Sequence, residues 1–266
     1  MRVMAERNVV YATRQTCLLC GHGDLSPVLD LGEHYLPLFG EAEPPTAPLR
    51  LVQCDGCGLA QLRDVVDRDL LFRSSYSYRS GTTATMKTAL EDIAAAAMRE
   101  VALAPGDVVL DIGGNDGTLL SLMPEASFRI GFDPASMTVP SEPFNEFYRH
   151  FFSAAMYQRN VASPAKLIFT IAMFYDLEDP HTFVEDICKV LTNDGVWICQ
   201  MNDLESMVVN TAYDFIGHEH VAIYSVPVFK ALVEQHGMEV YKVEHNDVNG
   251  GSARFYIQHK GGPHQP

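Results

Sequence analysis

Two short cysteine pairs constrain this chain more than any other feature. Cys17-Leu18-Leu19-Cys20-Gly21 and Cys54-Asp55-Gly56-Cys57-Gly58 repeat one pattern, two thiols separated by two residues and followed by glycine. The two-residue gap lets both thiolates of a pair turn onto one ion, and a glycine that tolerates φ > 0 lets backbone N–H groups approach the sulfurs. Four thiolates fit a closed, tetrahedral, structural Zn²⁺ site with no position left for catalysis. Cys17, Cys20, Cys54 and Cys57 are therefore the expected metal ligands, and His22 reads as a loop residue beside a complete set. Pro37, Pro44, Pro45 and Pro48 fall between the pairs, which predicts an irregular loop there, whereas residues 49–63 read as strand, knuckle, strand.

Unpaired thiols suit a reducing compartment. The opening residues (MRVMAERNVV) lack the apolar segment and small-residue cleavage site of a secretory signal, and no apolar run approaches the length that spans a bilayer. The expectation is a cytoplasmic protein without membrane partners. With 34 acidic and 19 basic side chains, the 266-residue chain carries a formal charge of −15, which disfavours nucleic acid, because phosphate binding depends on counterion release by Lys and Arg. The partner expected instead is a small molecule; the oligomeric state is not legible.

Beyond the second cysteine pair, strands and helices alternate. An Ala-rich stretch, Thr85 to Leu103, has helical spacing and ends at Pro105-Gly106. Buried-strand patterns follow at Asp107 to Ile112, Phe128 to Phe132, Lys166 to Ala172 and Gly195 to Met201, with helices predicted at Thr118 to Met123, Pro180 to Leu191 and Val226 to His236. Met238 to Val243 and Ala253 to His259 read as antiparallel edge strands. Alternation of this kind predicts an α/β fold with a mostly parallel sheet covered on both faces. The boundary is expected near residue 75: a zinc-binding module over 1–75 and a cofactor-binding domain over 76–266.

The first strand of that domain runs into a glycine-rich turn, Asp111-Ile112-Gly113-Gly114-Asn115-Asp116-Gly117. Its glycines allow a ligand close to the backbone at the strand's carboxyl end. The spacing is not that of the dinucleotide fingerprint, since Asn115 stands where the second glycine belongs. Asp111 suits an ammonium group better than a pyrophosphate, and Asp133, twenty-two residues later at the end of the next strand, suits two ribose hydroxyls. Amine and ribose without pyrophosphate describe S-adenosyl-L-methionine. The turn and the Gly131-Phe132-Asp133-Pro134-Ala135 segment resemble the first two motifs of the class I (Rossmann-like) methyltransferases, which implies cofactor contacts from Asp111, Gly113, Gly114, Asn115, Gly117 and Asp133. Phe151 and Phe152 are expected to flank the adenine, and Ala172 and Met173 to line the methionine end.

Asp214-Phe215-Ile216-Gly217-His218-Glu219-His220 places three ionisable side chains in a row after the fifth strand. Adjacent His and Glu can act as a base with an orienting carboxylate. A second metal site is a poorer reading, because no fourth ligand is suitably spaced. With the cysteine pairs, Tyr224-Ser225 and Asn249-Gly250-Gly251-Ser252-Ala253-Arg254, the segment resembles the zinc-containing sugar C-methyltransferases of deoxysugar biosynthesis over residues 15–260. The resemblance implies that a nucleotide-linked 4-keto sugar is deprotonated beside its ketone and that the enolate takes the methyl group. His220 would be the base, with Glu219 and His218 beside it. Relatives carry Tyr where this chain has Gly217, so Tyr76, Tyr78 or Tyr224 is expected to supply a hydroxyl, and Arg79, Lys87 or Arg254 a cation for the diphosphate. Relatives also continue into a third domain, and the sequence stops after the Gly-Gly-Ser-x-Arg segment. The rival readings are an O- or N-methyltransferase of another small metabolite and a noncatalytic protein that uses its zinc module for contact.

Overall fold

A computed structural model describes residues 10–38, 40–72, 76–135 and 144–265. The expected boundary at residue 75 and most of the opening decapeptide lie outside the described residues.

The N-terminal part is built from β1 (Tyr11–Thr13), β2 (Leu25–Tyr35), β3 (Thr46–Cys54), β4 (Ala60–Leu62), β5 (Asp64–Val66) and the short helix α1 (Arg68–Phe72). The irregular loop expected between the cysteine pairs is confined to the connection that holds Pro37, Pro44 and Pro45; ahead of it β2 is an eleven-residue strand antiparallel to β3. Pro27 is on β2, an edge strand, and Pro48 is on β3 outside the Leu51–Gln53 stretch that pairs with β4, so neither interrupts the inner ladder. Pro27 and Pro48 both sit in the β2–β3 register, which slips between Pro27 and Leu29 and again between Asp30 and Glu33.

The rest of the chain contributes α2 (Ala84–Glu100), β6 (Val108–Ile112), α3 (Thr118–Ser121), β7 (Phe128–Phe132), β8 (Glu146–Tyr148), α4 (Ala154–Asn160), β9 (Ala165–Ile171), α5 (Pro180–Val190), β10 (Leu191–Asn202), α6 (Leu204–Asn210), β11 (Ala222–Ile223), α7 (Val226–Gln235), β12 (Met238–Asn246) and β13 (Ser252–His259). Seven of these strands form one sheet in the order β12-β13-β10-β9-β6-β7-β8. The pairs from β8 to β10 are parallel, whereas β13 runs antiparallel to β10 and to β12, as the edge-strand pattern predicts. Chain order runs outward from β6 to β8 on one side and restarts at β9 on the other. The switch point therefore lies between β6 and β9, where doubly wound sheets bind ligands at the strands' carboxyl ends.

Alternate strand residues feed opposite faces. Val109, Leu167, Phe169, Val196 and Ile198 pack with Leu90, Ile93 and Ala97 of α2. Leu110, Ile112, Ile168, Trp197 and Cys199 pack on the other side with Val184 and Ile187 of α5 and Phe229 of α7. Trp197, fully buried, satisfies its indole N–H on Thr170 Oγ1 at 2.8 Å. The α5 start follows from its sequence: the Asp179 carboxylate accepts the Thr182 N–H at 3.0 Å, and Pro180 occupies the first helical position.

The two parts are joined through backbone. β11, drawn from residues 222–223, completes the four-stranded sheet β11-β4-β3-β2, with Ala222 opposite Gln61 and Ile223 opposite Ala60. Leu49, Leu51, Leu59 and Leu62 share one hydrophobic cluster with Trp197 and Phe229. No described helix is long and apolar enough to cross a membrane.

Candidate active site

The four cysteines come together as the spacing predicts. Their sulfurs lie within 4.8 Å of one another, with Cys17–Cys57 and Cys20–Cys54 each at 3.5 Å. A tetrahedron of Zn–S bonds near 2.3 Å has edges of about 3.8 Å, so the thiols already have the dimensions of a zinc cage. The Leu19 N–H points at Cys17 Sγ, 3.4 Å away. Burial opposes ionisation of Cys54, yet the N–H groups of Cys57 and Gly56 and the Cys20 thiol bring it down to about 7, which favours the ligating thiolate. The first knuckle is tied to its surroundings by the Leu18 N–H on Gln61 Oε1 and by the Leu19 carbonyl, which accepts from His181 Nε2, both at 2.8 Å.

A cavity of about 690 Å³ opens at the carboxyl ends of β6, β7 and β9. Asp111, Gly113, Gly114, Asn115, Asp133, Phe151, Phe152, Ala172 and Met173 line it, and so do Tyr76, Tyr78 and His220 from the other side. Gly113 has φ 75°, and a Cβ there would lie 2.9 Å from Met173 Cγ, so the turn closes only with glycine. Asp133 accepts N–H groups from Asn115 at 2.9 Å and Ala135 at 2.8 Å, one on each oxygen, which leaves a lone pair on each for hydroxyl groups. No hydrogen bond reaches the Asp111 carboxyl from the described residues; burial, then the charges of Asp133 and Asp116, pushes it up to about 8. A buried acid without a partner in an acidic recess fits a cationic ligand group. Ammonium at Asp111, ribose at Asp133 and apolar walls from Phe151 and Phe152 fit S-adenosylmethionine.

Asn115 lines the cavity, but its side chain is occupied: Nδ2 donates to the Tyr78 carbonyl and Oδ1 accepts the Ser80 N–H, both at 2.9 Å. Asp116 accepts the Gly81 N–H at 2.8 Å and the Thr118 hydroxyl at 2.6 Å. The glycine-rich turn thus clamps the segment that brings Tyr76 and Tyr78 to the cavity. Gly117 caps α3 with φ 76° and is not in the lining.

The histidine segment divides. His220 lines the cavity, stacked on Phe215 with centroids 4.1 Å apart and edge-on to Tyr175 at 4.6 Å. Its Nδ1 bonds the Phe215 carbonyl. A carbonyl only accepts, so Nδ1 carries the proton and Nε2 is the basic nitrogen. Burial lowers the pKa and keeps the ring neutral. His218 turns away, 3% exposed, with Nε2 on the Ala47 carbonyl at 3.1 Å; it anchors the segment to β3. Glu219 is half-buried, outside the cavity lining but within electrostatic reach of Tyr76, Tyr175 and Asp176; burial raises its pKa.

Two expectations are corrected. Tyr224 is buried in the core against Phe174 and Phe229 and lies outside the cavity lining, so it offers no hydroxyl there. Arg254 is also buried, with Nε on Gln200 Oε1 and Nη2 on Asp92 Oδ2, both at 2.7 Å, and is not in the lining. The arginine that does line the cavity is Arg68 of α1, whose guanidinium lies 4.3 Å from the Phe151 ring centroid. Nothing in the sequence singles out Arg68. Tyr175 and Asp176 were equally missed, although a carboxylate just beyond the strand that ends at Ile171 is the kind of signal that marks a switch-point residue.

Comparison with known proteins gives two family matches: a zinc binding domain over residues 17–72 and a methyltransferase domain over residues 83–243. The chain is 28% identical over 247 residues to "C-methyltransferase NovU" of Streptomyces niveus, an alignment covering 89% of this chain and 59% of that protein. The chain therefore spans less than two thirds of the curated relative it matches. Among solved structures, one from a complex between the Haloferax volcanii Trm112 methyltransferase activator and a methyltransferase superposes with TM-score 0.51 at 14% identity, covering 66% of this chain and 95% of that one. The plantazolicin methyltransferase BpumL, solved with a pentazolic desmethylPZN analog and SAH, also gives 0.51 at 14% identity, covering 67% and 87%. Both likenesses speak to the fold.

Proposed function

The chain belongs to the methyltransferase domain family and carries a zinc-binding domain ahead of it, and from that premise we propose that it C-methylates a small molecule bearing a ketone, with a nucleotide-linked keto-deoxysugar as the acceptor class. S-adenosylmethionine would supply the electrophilic methyl group from its sulfonium. Asp111 would hold its ammonium and Asp133 its ribose, with Gly113 and Gly114 letting it lie against the end of β6. The zinc cage is structural in this reading. It fixes β4, β4 pairs β11, and the chain leading into β11 carries Glu219 and His220. The acceptor would lie between module and domain, beside Tyr76 and Arg68.

The observation that carries the reading is His220. Its proton is committed to Nδ1 by the Phe215 carbonyl, burial keeps the ring neutral, and it shares a cavity with Asp111 and Asp133. A neutral, oriented imidazole is the group needed to take a proton from a carbon acid at neutral pH. The likeness to a C-methyltransferase over most of this chain supports the same chemistry, and Arg68 supplies a cation that a diphosphate can meet.

The test is solvent deuterium exchange at the carbon beside the ketone of a nucleoside-diphosphate 4-keto-6-deoxyhexose. Exchange is expected with the enzyme and should fall by roughly 100-fold or more in His220→Ala, the usual worth of a positioned base, while affinity for S-adenosylhomocysteine stays unchanged. Turnover without exchange would instead favour O- or N-methylation, and normal exchange in His220→Ala would refute the base.

A further inference from the structure

One buried carboxyl in the cavity wall has no role in the chemistry so far. Asp176 ends a single 3₁₀ turn, Phe174–Asp176, that follows β9, and so stands beside the switch point of the sheet. Its backbone N–H is satisfied by the Met173 carbonyl at 3.1 Å. Its Oδ1 is buried and has no hydrogen-bond partner among the described residues, although the residue lines the cavity. Leaving a buried polar atom unmatched costs on the order of 1–3 kcal/mol. A fold that keeps such an atom at the wall of its cavity leaves it for a ligand to complete.

The neighbours say which state of the acid is available. Its chain neighbour Tyr175 packs edge-on against His220, and Asp176 and His220 both line the cavity. Glu219 approaches from the loop that carries His220, and Tyr76 and Tyr175 are the other titratable groups nearby. A buried carboxyl that feels the charge of a second one resists ionisation. Burial first, and then the charge of Glu219, holds the proton on Asp176 far above the ordinary carboxylate range.

We propose that Asp176 is a further catalytic residue, whose carboxylic acid donates a hydrogen bond to the carbonyl oxygen of the acceptor. The inference rests on the C-methylation reading and deepens it. When His220 acts, the C–H bond beside the carbonyl breaks, the proton passes to Nε2, and the electron pair becomes a C=C bond. The carbonyl π pair moves onto oxygen, where the Asp176 O–H stabilises it without giving up its proton. O- or N-methylation develops no charge on a carbonyl oxygen and has no use for an acid placed beside the base, so the pair specifies an enolisable acceptor.

Asp176→Ala and Asp176→Asn are compared with the parent enzyme, all saturated with S-adenosylhomocysteine so that exchange is read without methyl transfer. Exchange on the nucleoside-diphosphate 4-keto-6-deoxyhexose should slow by roughly 100- to 1,000-fold in Asp176→Ala, the loss usual for one oxyanion donor. Asp176→Asn should recover part of it, because the amide keeps an N–H donor in nearly the same shape. The parent should also lose exchange on the alkaline side as Asp176 ionises, whereas Asp176→Asn should lack that fall. Infrared difference spectra, parent minus variant, should show the C=O stretch of one un-ionised carboxylic acid for both variants, over and above the Asp111 acid that all three proteins keep. Unchanged affinity for S-adenosylhomocysteine shows that the variants are folded. Exchange within a few-fold of the parent in Asp176→Ala, or a parent-minus-Asp176→Asn spectrum without that acid band, overturns the inference alone. Absence of exchange in the parent overturns the C-methylation reading, and this inference with it.

Discussion

Placing the cofactor's ammonium at Asp111 predicts that binding releases a proton. With its carboxyl at about 8, roughly one molecule in eleven has the ionised form at pH 7. A bound ammonium draws a carboxyl down by about 1–3 pKa units, to about 7 to 5, so the complex holds half or more of the ionised form at pH 7. Binding of S-adenosylhomocysteine at pH 7 should therefore expel about 0.4 to 0.9 of a proton, and reaching the ionised state costs about 1.4 kcal/mol, or elevenfold in affinity. The sign is fixed by the direction of the shift: affinity falls as the pH drops below about 8, by up to tenfold per unit, and levels off below the bound carboxyl's own pKa. For the unliganded fold the same raised carboxyl stabilises at low pH, and that contribution is lost as the pH rises from 3.8 toward about 8. Calorimetry in buffers of different ionisation enthalpy reads the proton directly, and Asp111→Asn should bind with no proton release and a flat profile from pH 6 to 7. A parent enzyme that binds without releasing a proton would refute the placement of the ammonium at Asp111.

Metal analysis should find one Zn²⁺ per chain, and stripping it should lower the melting temperature and abolish exchange at the acceptor while S-adenosylhomocysteine still binds, because Asp111 and Asp133 sit on β6 and after β7 rather than on the module. An unchanged melting temperature after stoichiometric zinc loss would count against a structural cage. Tyr224→Phe removes a buried hydroxyl that has no hydrogen-bond partner among the described residues, so thermal unfolding should show stability unchanged or raised by up to about 1 kcal/mol, with exchange unaffected; a clear loss of stability would mean that the hydroxyl is partnered.

Much of the architecture was legible because it depends on local pattern. The spacing of Cys17, Cys20, Cys54 and Cys57 required one cage, and the apolar runs at Val108–Ile112 and Phe128–Phe132 could be satisfied only in a covered sheet. The glycine-rich turn announced itself because its backbone needs residues that tolerate positive φ, as Gly113 and Gly117 do. What stayed hidden depends on distant partners. The pairing of β11 with β4 joins residues about 160 positions apart, and two residues of strand carry no periodicity to betray it. The triplet His218, Glu219, His220 looks uniform in sequence, but the chain turns one imidazole to the Ala47 carbonyl and the other to the Phe215 carbonyl. Arg254 looked like a free cation because nothing local signals Gln200 and Asp92, which occupy it. Arg68 and Asp176 reach the cavity only through tertiary packing, which no local pattern signals.

The position of the transferred methyl group decides the central question. The enzyme would be given S-adenosylmethionine labelled with ¹³C in its methyl group, together with a nucleoside-diphosphate 4-keto-6-deoxyhexose, and the product carbon read by NMR. A ¹³C methyl bonded to the carbon beside the carbonyl, with one S-adenosylhomocysteine formed per methyl, is the expected result. A label found on oxygen or nitrogen, or cofactor bound but no label transferred to the sugar, would contradict it.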